Sequence, residues 1–144
     1  IVMGALLNVG NGSLNGRYLF ALGPGLDTSW LLDPRFIVGA CLFWIGYAVN
    51  QHSDQVLISL RSDGETGYKI PRGGAYRYVS CPNYLGEMVE WAGWALACWN
   101  LGALAFFVWT VANLAPRAFR THRWYRSEFP DYPPERKALL PFIV

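Results

Sequence analysis

The stretch from residue 84 to 115 contains only two charged side chains, Glu87 and Glu90, among its 32 residues. A helix that spans a bilayer needs about 20 mostly apolar residues, so this stretch is long enough for two short spans. Asn100 lies near its middle and predicts a break, and Pro116 is expected to end the second segment. The basic and aromatic tail beyond Pro116 has helix-like character through Phe129. The sequence therefore predicts a tight hairpin of two helices, with one long tilted helix as the alternative.

A second apolar segment, Phe36–Val49, contains 14 residues without a charge or a side-chain amide. Asp33 and Pro34 precede it, and this pair is a typical helix start with Asp as the N-cap and Pro in the first position. We expect the helix to run on to Leu60, so that its far end is polar. A buried core helix of a soluble protein is the alternative.

The composition favours a membrane protein. Hydrophobic residues make up 53% of the 144 and charged residues only 15%, whereas soluble domains carry about 25% charged residues. Intrinsic disorder, a collagen-like repeat and nucleic-acid binding fit this composition poorly. Cys41, Cys81 and Cys98 include no CxxC pair, which excludes a disulfide framework or zinc ribbon from this chain alone, and we expect no metal site.

The basic residues predict which side of the membrane each loop occupies. Four of them lie between residues 54 and 83 and six lie after Pro116, whereas the segment 10–33 has only Arg17. A hairpin between the first two regions puts them on one face, and the positive-inside rule makes that face cytoplasmic. We expect a multi-pass integral membrane protein, in the endoplasmic reticulum of a eukaryote or the inner membrane of a bacterium.

Ionisable residues inside membrane segments are costly and are therefore candidates for function. Asn83, Glu87 and Trp91 follow one another at intervals of four and form one stripe on a helix. Capping of the helix start, where carboxylates suit the dipole, is the alternative for Glu87. For Glu90, a structural hydrogen bond to another helix and a site role both remain open.

A second polar face lies where the preceding helix leaves its apolar part. Asn50, Asp54 and Arg61 share one helix face and suit a polar ligand such as a nucleotide. A solvated helix end with a local Asp–Arg pair is the alternative. The glycine-rich segment 62–81 interleaves basic and aromatic residues, which suits phosphates and an adenine ring but also a headgroup interface. No Rossmann GxGxxG motif is present.

Several separated motifs, in order along the chain, resemble the steroid 5α-reductase family. They are NQHSD (50–54), YKIPRGG (68–74), VSCPNYLGEMVE (79–90) and HRWY (122–125), followed by FPDYPPERKALLPFIV. The resemblance implies an all-α, multi-pass membrane bundle of seven helices. Residues 1–144 would form about its last four helices, the NADPH-binding C-terminal part, with the N-terminal helices missing.

The resemblance also implies a reaction. NADPH would reduce the C4–C5 double bond of a 3-oxo-Δ4 steroid by hydride transfer to C5, while a donor stabilises negative charge on the C3 oxygen. In the family that donor is a Tyr–Glu pair on the N-terminal helices, so no catalytic acid is expected in this chain. A related membrane reductase of enones, enoyl lipids or sterols is the alternative, followed by a non-enzymatic membrane subunit.

Carried over residue by residue, the resemblance gives two sets of contacts. The cofactor contacts are Asn50, Asp54, Arg61, Tyr68, Lys69, Asn83, Glu87, Arg117, Thr121 and Tyr125. The contacts along the apolar steroid cavity are Trp91, Phe106, Trp109 and Leu114, for which plain packing is the alternative.

This sequence departs from the family pattern at three of the positions considered. Lys69 stands where an arginine is common, Thr121 stands where a histidine is expected, with His122 beside it, and Asn113 stands where an aromatic residue is frequent. The expected partners are a steroid or related lipid, the bilayer and the N-terminal helices of the same protein, without nucleic acid.

Overall fold

A computed structural model describes residues 2–22, 27–60 and 67–143, and over these ranges the chain is helical, without a named strand. This confirms the predicted all-α class. The long helices are α1 (Val2–Arg17), α2 (Pro34–Ser59), α3 (Pro82–Cys98) and α4 (Leu101–Glu128). Shorter turns are a π-helical turn at Tyr18–Leu22 and 3-10 turns at Thr28–Leu32 and Gly74–Arg77.

Helix α2 begins where the sequence predicts. The Asp33 carboxylate accepts the backbone N–H of Arg35 at 2.8 Å and also binds the Arg35 guanidinium at 2.8 Å. These hydrogen bonds from Arg35 lower the pKa of Asp33 to about 2, so the cap is ionised at neutral pH. The guanidinium lies over the rings of Trp30 and Trp99, 4.5 and 4.8 Å from their centroids, which ties this helix start to the α3–α4 turn.

Helices α2 and α3 pack with their backbones in contact at four glycines, Gly39 and Gly46 on α2 and Gly86 and Gly93 on α3. A methyl group on Gly39 would lie 2.5 Å from the backbone nitrogen of Ala97, closer than real Cβ atoms approach. Gly46, Gly86 and Gly93 face the opposite backbone just as closely. Such an approach requires residues without a side chain, as in other tightly packed helix pairs.

The predicted break between the two hairpin helices is confirmed. Trp99 ends α3 in the left-handed conformation, at φ 47°, and the Asn100 side chain accepts the backbone N–H of Ala103 at 2.8 Å as the N-cap of α4. The prediction that Pro116 ends the second helix is wrong, because α4 continues unbroken to Glu128, whereas the helical character predicted for the residues beyond Pro116 is confirmed.

Continuation of α4 through Pro116 has a physical cause. Proline removes one backbone N–H and its ring crowds the preceding turn, which weakens a helix without always ending it. On the far side of Pro116, Ala118 and Tyr125 are buried. Their packing offsets the lost hydrogen bond and holds the last turns of α4 in place.

The segment after α4 folds back onto the helices. Ala138 and Leu139 are buried in one cluster with Cys81, Leu114 and Ala118, among others. Two backbone hydrogen bonds fix this segment beside the start of α3, Ser80 N–H to Lys137 O at 2.8 Å and Lys137 N–H to Tyr78 O at 3.0 Å. The C-terminal segment is therefore part of the core.

Among the described helices, α4 alone is long and apolar enough, by length and composition, to cross a membrane. Large apolar side chains such as Trp44, Ile45 and Leu101 are exposed along the helices. The predicted multi-pass arrangement remains a prediction.

We expect Gly46→Ala to destabilise the protein, because its methyl group would meet the backbone of α3 rather than a movable side chain. Overpacking of this kind costs about 1–3 kcal/mol. Gly12→Ala is the matched control, because a methyl group there has nothing within 4 Å. The measurement is the thermal midpoint of the purified full-length protein, and equal midpoints for the two variants would contradict the close contact.

Candidate functional site

Polar side chains of three helices meet at one end of the α2–α3 pair. The Asn50 side-chain amide donates to the backbone oxygen of Asn83 at 3.0 Å, and the Asn83 side-chain amide donates to the Asp54 carboxylate at 3.2 Å. Glu87 interacts electrostatically with Asp54 and with Arg117 of α4. We call Asn50, Asp54, Asn83, Glu87 and Arg117 the polar corner; all five are predicted cofactor contacts.

The structure excludes one of the two interpretations of Glu87. Helix α3 begins at Pro82 after Cys81, and its first turn carries no acidic residue. Glu87 therefore lies beyond the first turn, and the capping interpretation is wrong. Its carboxylate lies beside the indole of Trp91 and interacts with Asp54 and Arg117, the other charged members of the polar corner.

A cleft whose exposed surface is mainly apolar, which we call the apolar cleft, adjoins the polar corner. It has a volume of about 170 Å³, and it is lined by Phe106, Trp109 and Leu114 together with the polar residues Glu87, Asn8, Thr110 and Asn113. Trp91 contacts Phe106 edge to face, with ring centroids 4.4 Å apart. All four predicted substrate residues thus lie together, and Glu87 belongs both to the cleft and to the polar corner.

Aromatic rings form a row from the glycine-rich segment to the C-terminal segment. Tyr68 contacts Trp124 at 5.0 Å between ring centroids, Trp124 contacts Tyr125 at 5.0 Å, and Tyr125 stacks on Tyr132 at 5.3 Å. We call these four residues the aromatic row. Tyr68 is largely exposed whereas Tyr125 is buried, so the row offers both an open ring and an anchored ring among the predicted cofactor contacts.

Tyr76, one of the aromatic residues of the glycine-rich segment, lies beside the polar corner but is not among the predicted cofactor contacts. It is 1% exposed, donates to the backbone oxygen of Ser53 at 3.4 Å and interacts electrostatically with Asp54 and Tyr125. Burial raises the pKa of its hydroxyl. In the sequence Tyr76 resembles the other tyrosines of its glycine-rich segment, and no pattern there distinguishes the buried one.

Arg136 is also absent from the predicted cofactor contacts. It is 5% exposed, and among the described residues its Nε and Nη1 have no hydrogen-bond partner. Its guanidinium lies 5.2 Å from the centroid of the Tyr132 ring. A buried, incompletely paired guanidinium is costly without an anion. This side chain therefore suits a phosphate or carboxylate beside the aromatic row.

The remaining predicted cofactor contacts, Thr121, Lys69 and Arg61, belong neither to the polar corner nor to the aromatic row. Thr121, at the position of the expected histidine, lies against the Cys81 thiol. Burial raises the pKa of that thiol to about 12, against a smaller opposing effect of its hydrogen bond with Thr121. Lys69 is exposed, and Arg61 lies outside the described residues.

His122, beside Thr121, is half-buried and belongs to a hydrogen-bonded group with Ser80. Its Nδ1 lies 2.6 Å from the Ser80 hydroxyl. The residue lies past the apolar part of α4, among the basic residues that follow Pro116. Burial lowers the pKa of His122, and the positive charges of Arg126 and Lys137 lower it further.

These observations define a class of protein, a helical protein with a two-part site. The polar corner and the aromatic row suit a charged ligand that contains rings, and the apolar cleft adjoins them. The chain belongs to the 3-oxo-5-alpha-steroid 4-dehydrogenase family, whose model matches residues 1–144.

Named relatives agree with this assignment. The chain is 52% identical over 134 residues to 3-oxo-5-alpha-steroid 4-dehydrogenase 1 of Bos taurus, covering 93% of this chain and 52% of that protein. It is 48% identical over 143 residues to 3-oxo-5-alpha-steroid 4-dehydrogenase 2 of Homo sapiens, covering 99% and 56%. A steroid 5-alpha-reductase of Gossypium hirsutum is 45% identical over 137 residues, covering 94% and 53%. The chain thus spans about half the length of these relatives.

We expect Asn50→Ala to lower the thermal midpoint of the full-length protein, because it removes the hydrogen bond from α2 to the backbone of Asn83. The free energy of unfolding should fall by about 1 kcal/mol. Gln55→Ala is the control, since Gln55 is exposed on the same helix and should change stability by less than about 0.5 kcal/mol. A midpoint no lower for Asn50→Ala than for Gln55→Ala would contradict the assigned contact.

The lowered pKa of His122 predicts a pH dependence of stability. The unfolded chain takes up this proton near pH 6.5, whereas the folded protein takes it up only at lower pH. The stabilisation is therefore fully present above about pH 6.5 and is lost as the pH falls through the folded pKa. Between these two pKa values the wild-type thermal midpoint should fall more than that of His122→Asn, and parallel curves would contradict the burial of a neutral imidazole.

Proposed function

We propose that this chain is the cofactor-holding C-terminal part of an NADPH-dependent 3-oxo-5α-steroid 4-dehydrogenase that reduces the C4–C5 double bond of a 3-oxo-Δ4 steroid. The observation that carries the proposal is the junction at Glu87 between the polar corner and the apolar cleft. A dinucleotide is polar, like the polar corner, and a steroid is apolar, like the cleft. Hydride transfer requires that the two ligands meet.

The residues of the site fit a phosphorylated dinucleotide. The buried guanidinium of Arg136 and the side chain of Arg117 supply positive charge for phosphates. Asn50, Asp54 and Asn83 supply amide and carboxylate groups for ribose hydroxyls or a carboxamide. The exposed ring of Tyr68 in the aromatic row suits stacking of an adenine.

The apolar cleft suits the reacting end of the complex. NADPH, when bound, would supply the hydride that adds to C5 of the steroid. Trp91, Phe106, Trp109 and Leu114 would exclude water from that carbon and orient the flat ring system. We propose that the Tyr–Glu pair that polarises the C3 oxygen lies outside this chain, on N-terminal helices of the same protein.

We further propose a multi-pass topology, with the N-terminal helices completing a seven-helix bundle in the endoplasmic reticulum or a bacterial inner membrane. The apolar α4 and the exposed apolar side chains support a bilayer setting. The basic residues of the segment 54–83 and of the chain after Pro116 support a cytoplasmic location for both, by the positive-inside rule.

The direct test uses the purified full-length protein in proteoliposomes with NADPH and a 3-oxo-Δ4 steroid. The expected product is two mass units heavier than the substrate, with one equivalent of NADPH consumed. Parallel incubations replace the steroid with an enoyl lipid or a sterol. Reduction of one of these alone would overturn the steroid assignment, and failure to bind or consume NADPH would overturn the enzyme assignment.

Variants of the polar corner should act through the cofactor. We expect Asp54→Ala and Arg117→Ala each to raise the KM for NADPH by about tenfold or more, because each removes a charged partner. Arg120→Ala is the control, since Arg120 is exposed on the same helix as Arg117. Steady-state kinetics against NADPH measure the effect, and unchanged KM in both variants would contradict the placement of the cofactor.

A further inference from the structure

The hydroxyl of Ser80 lies at the centre of a hydrogen-bonded group that joins three separate parts of the chain. Ser80 is 3% exposed and directly precedes the N-cap of α3. Its Oγ lies 2.6 Å from Nδ1 of His122 on α4, 2.6 Å from the Tyr132 hydroxyl and 3.1 Å from the backbone oxygen of Lys137. One small side chain thus links the start of α3, the end of α4 and the C-terminal segment.

The number of hydrogens in this group favours one arrangement. Ser80 has a single hydroxyl hydrogen, which it donates to the Lys137 oxygen at 3.1 Å, and the second lone pair of that oxygen accepts the Ser80 backbone N–H at 2.8 Å. A neutral imidazole with its hydrogen on Nδ1 then donates to the Ser80 oxygen, and the Tyr132 hydroxyl donates to the same oxygen. Every short contact is satisfied in this arrangement.

The Tyr132 side chain, anchored through its hydroxyl, holds the ring of Tyr125 in the proposed cofactor site. Tyr132 is buried and stacks on Tyr125, with ring centroids 5.3 Å apart and planes 12° from parallel. The Arg136 guanidinium lies over the ring of Tyr132 at 5.2 Å. Fixing the Tyr132 hydroxyl therefore fixes the position of both Tyr125 and Arg136, the two groups beside which a dinucleotide would bind.

We infer that Ser80, His122 and Tyr132 are positioning residues for the cofactor, holding Tyr125 and Arg136 in the geometry that binds NADPH. This inference rests on the proposed function. None of the three was predicted as a cofactor contact, and each acts through the stacked rings rather than by touching the ligand. Their loss should weaken cofactor binding without changing the chemical step.

The test measures KM for NADPH and kcat for Ser80→Ala and Tyr132→Phe in the full-length enzyme. Tyr132→Phe keeps the stacked ring and removes only the anchoring hydroxyl. We expect each variant to raise the KM for NADPH by roughly three- to tenfold, the effect of one lost hydrogen bond, with kcat nearly unchanged. Because Ser80→Ala already removes the hydrogen bond that Tyr132→Phe cuts, the double variant should resemble Ser80→Ala.

Two further variants separate positioning from general stability. Tyr78→Phe is the matched control, since Tyr78 lies two residues from Ser80 with an exposed side chain, and it should leave both kinetic constants unchanged. His122→Asn keeps a hydrogen-bonding group near the position of Nδ1 and should restore most of the NADPH affinity that His122→Ala loses. This rescue is not expected of a residue that only fills space.

The possible outcomes are distinct. If the wild-type enzyme does not use NADPH, the proposed function fails. If the wild type uses NADPH while Tyr132→Phe and His122→Ala keep its KM, the inference fails and the proposed function stands. A fall in kcat without a rise in KM, or additive effects in the double variant, would also overturn the inference. Should Ser80→Ala fail to fold, Tyr132→Phe and the two His122 variants decide the question.

Discussion

The contact between the backbones of α2 and α3 is the constraint on which the rest of the site depends. Gly46 and Gly86 face each other at the point where Asn50 and Asn83 begin the polar corner. A side chain larger than hydrogen at either glycine would push the helices apart. The hydrogen bond from Asn50 to the backbone of Asn83 requires this close approach, so the glycines determine the register of the site as well as the packing.

The second constraint is the length of α4. Its apolar part lies beside α3 and forms the wall of the cleft, whereas its basic part, after Pro116, carries Arg117 to the polar corner and Tyr125 to the aromatic row. One continuous helix therefore connects the apolar and polar halves of the site. The C-terminal segment closes this arrangement, because the buried Leu139 and the bonds of Ser80 hold it against the helices.

Local signals predicted those features of the fold that depend on local chemistry. Asp33 and Pro34 predicted the start of α2 because capping involves only neighbouring residues, and Asn100 predicted the break in the hairpin for the same reason. Pro116 does not end α4, because a proline ends a helix only when nothing outside the helix holds the following turns. The burial of Ala118 and Tyr125, which does hold them, is a property of the folded chain.

The sequence by itself determined the helical class, the positions of two helix boundaries and, through its ordered motifs, the family and the residues proposed for the cofactor. These depend on spacing along the chain or on similarity to relatives. Only the tertiary structure decided that Glu87 belongs both to the polar corner and to the apolar cleft, that Tyr76 and Arg136 are buried, and that Ser80 joins three segments. Burial and partner choice depend on residues distant in sequence, because they arise when separate helices and the C-terminal segment pack against one another.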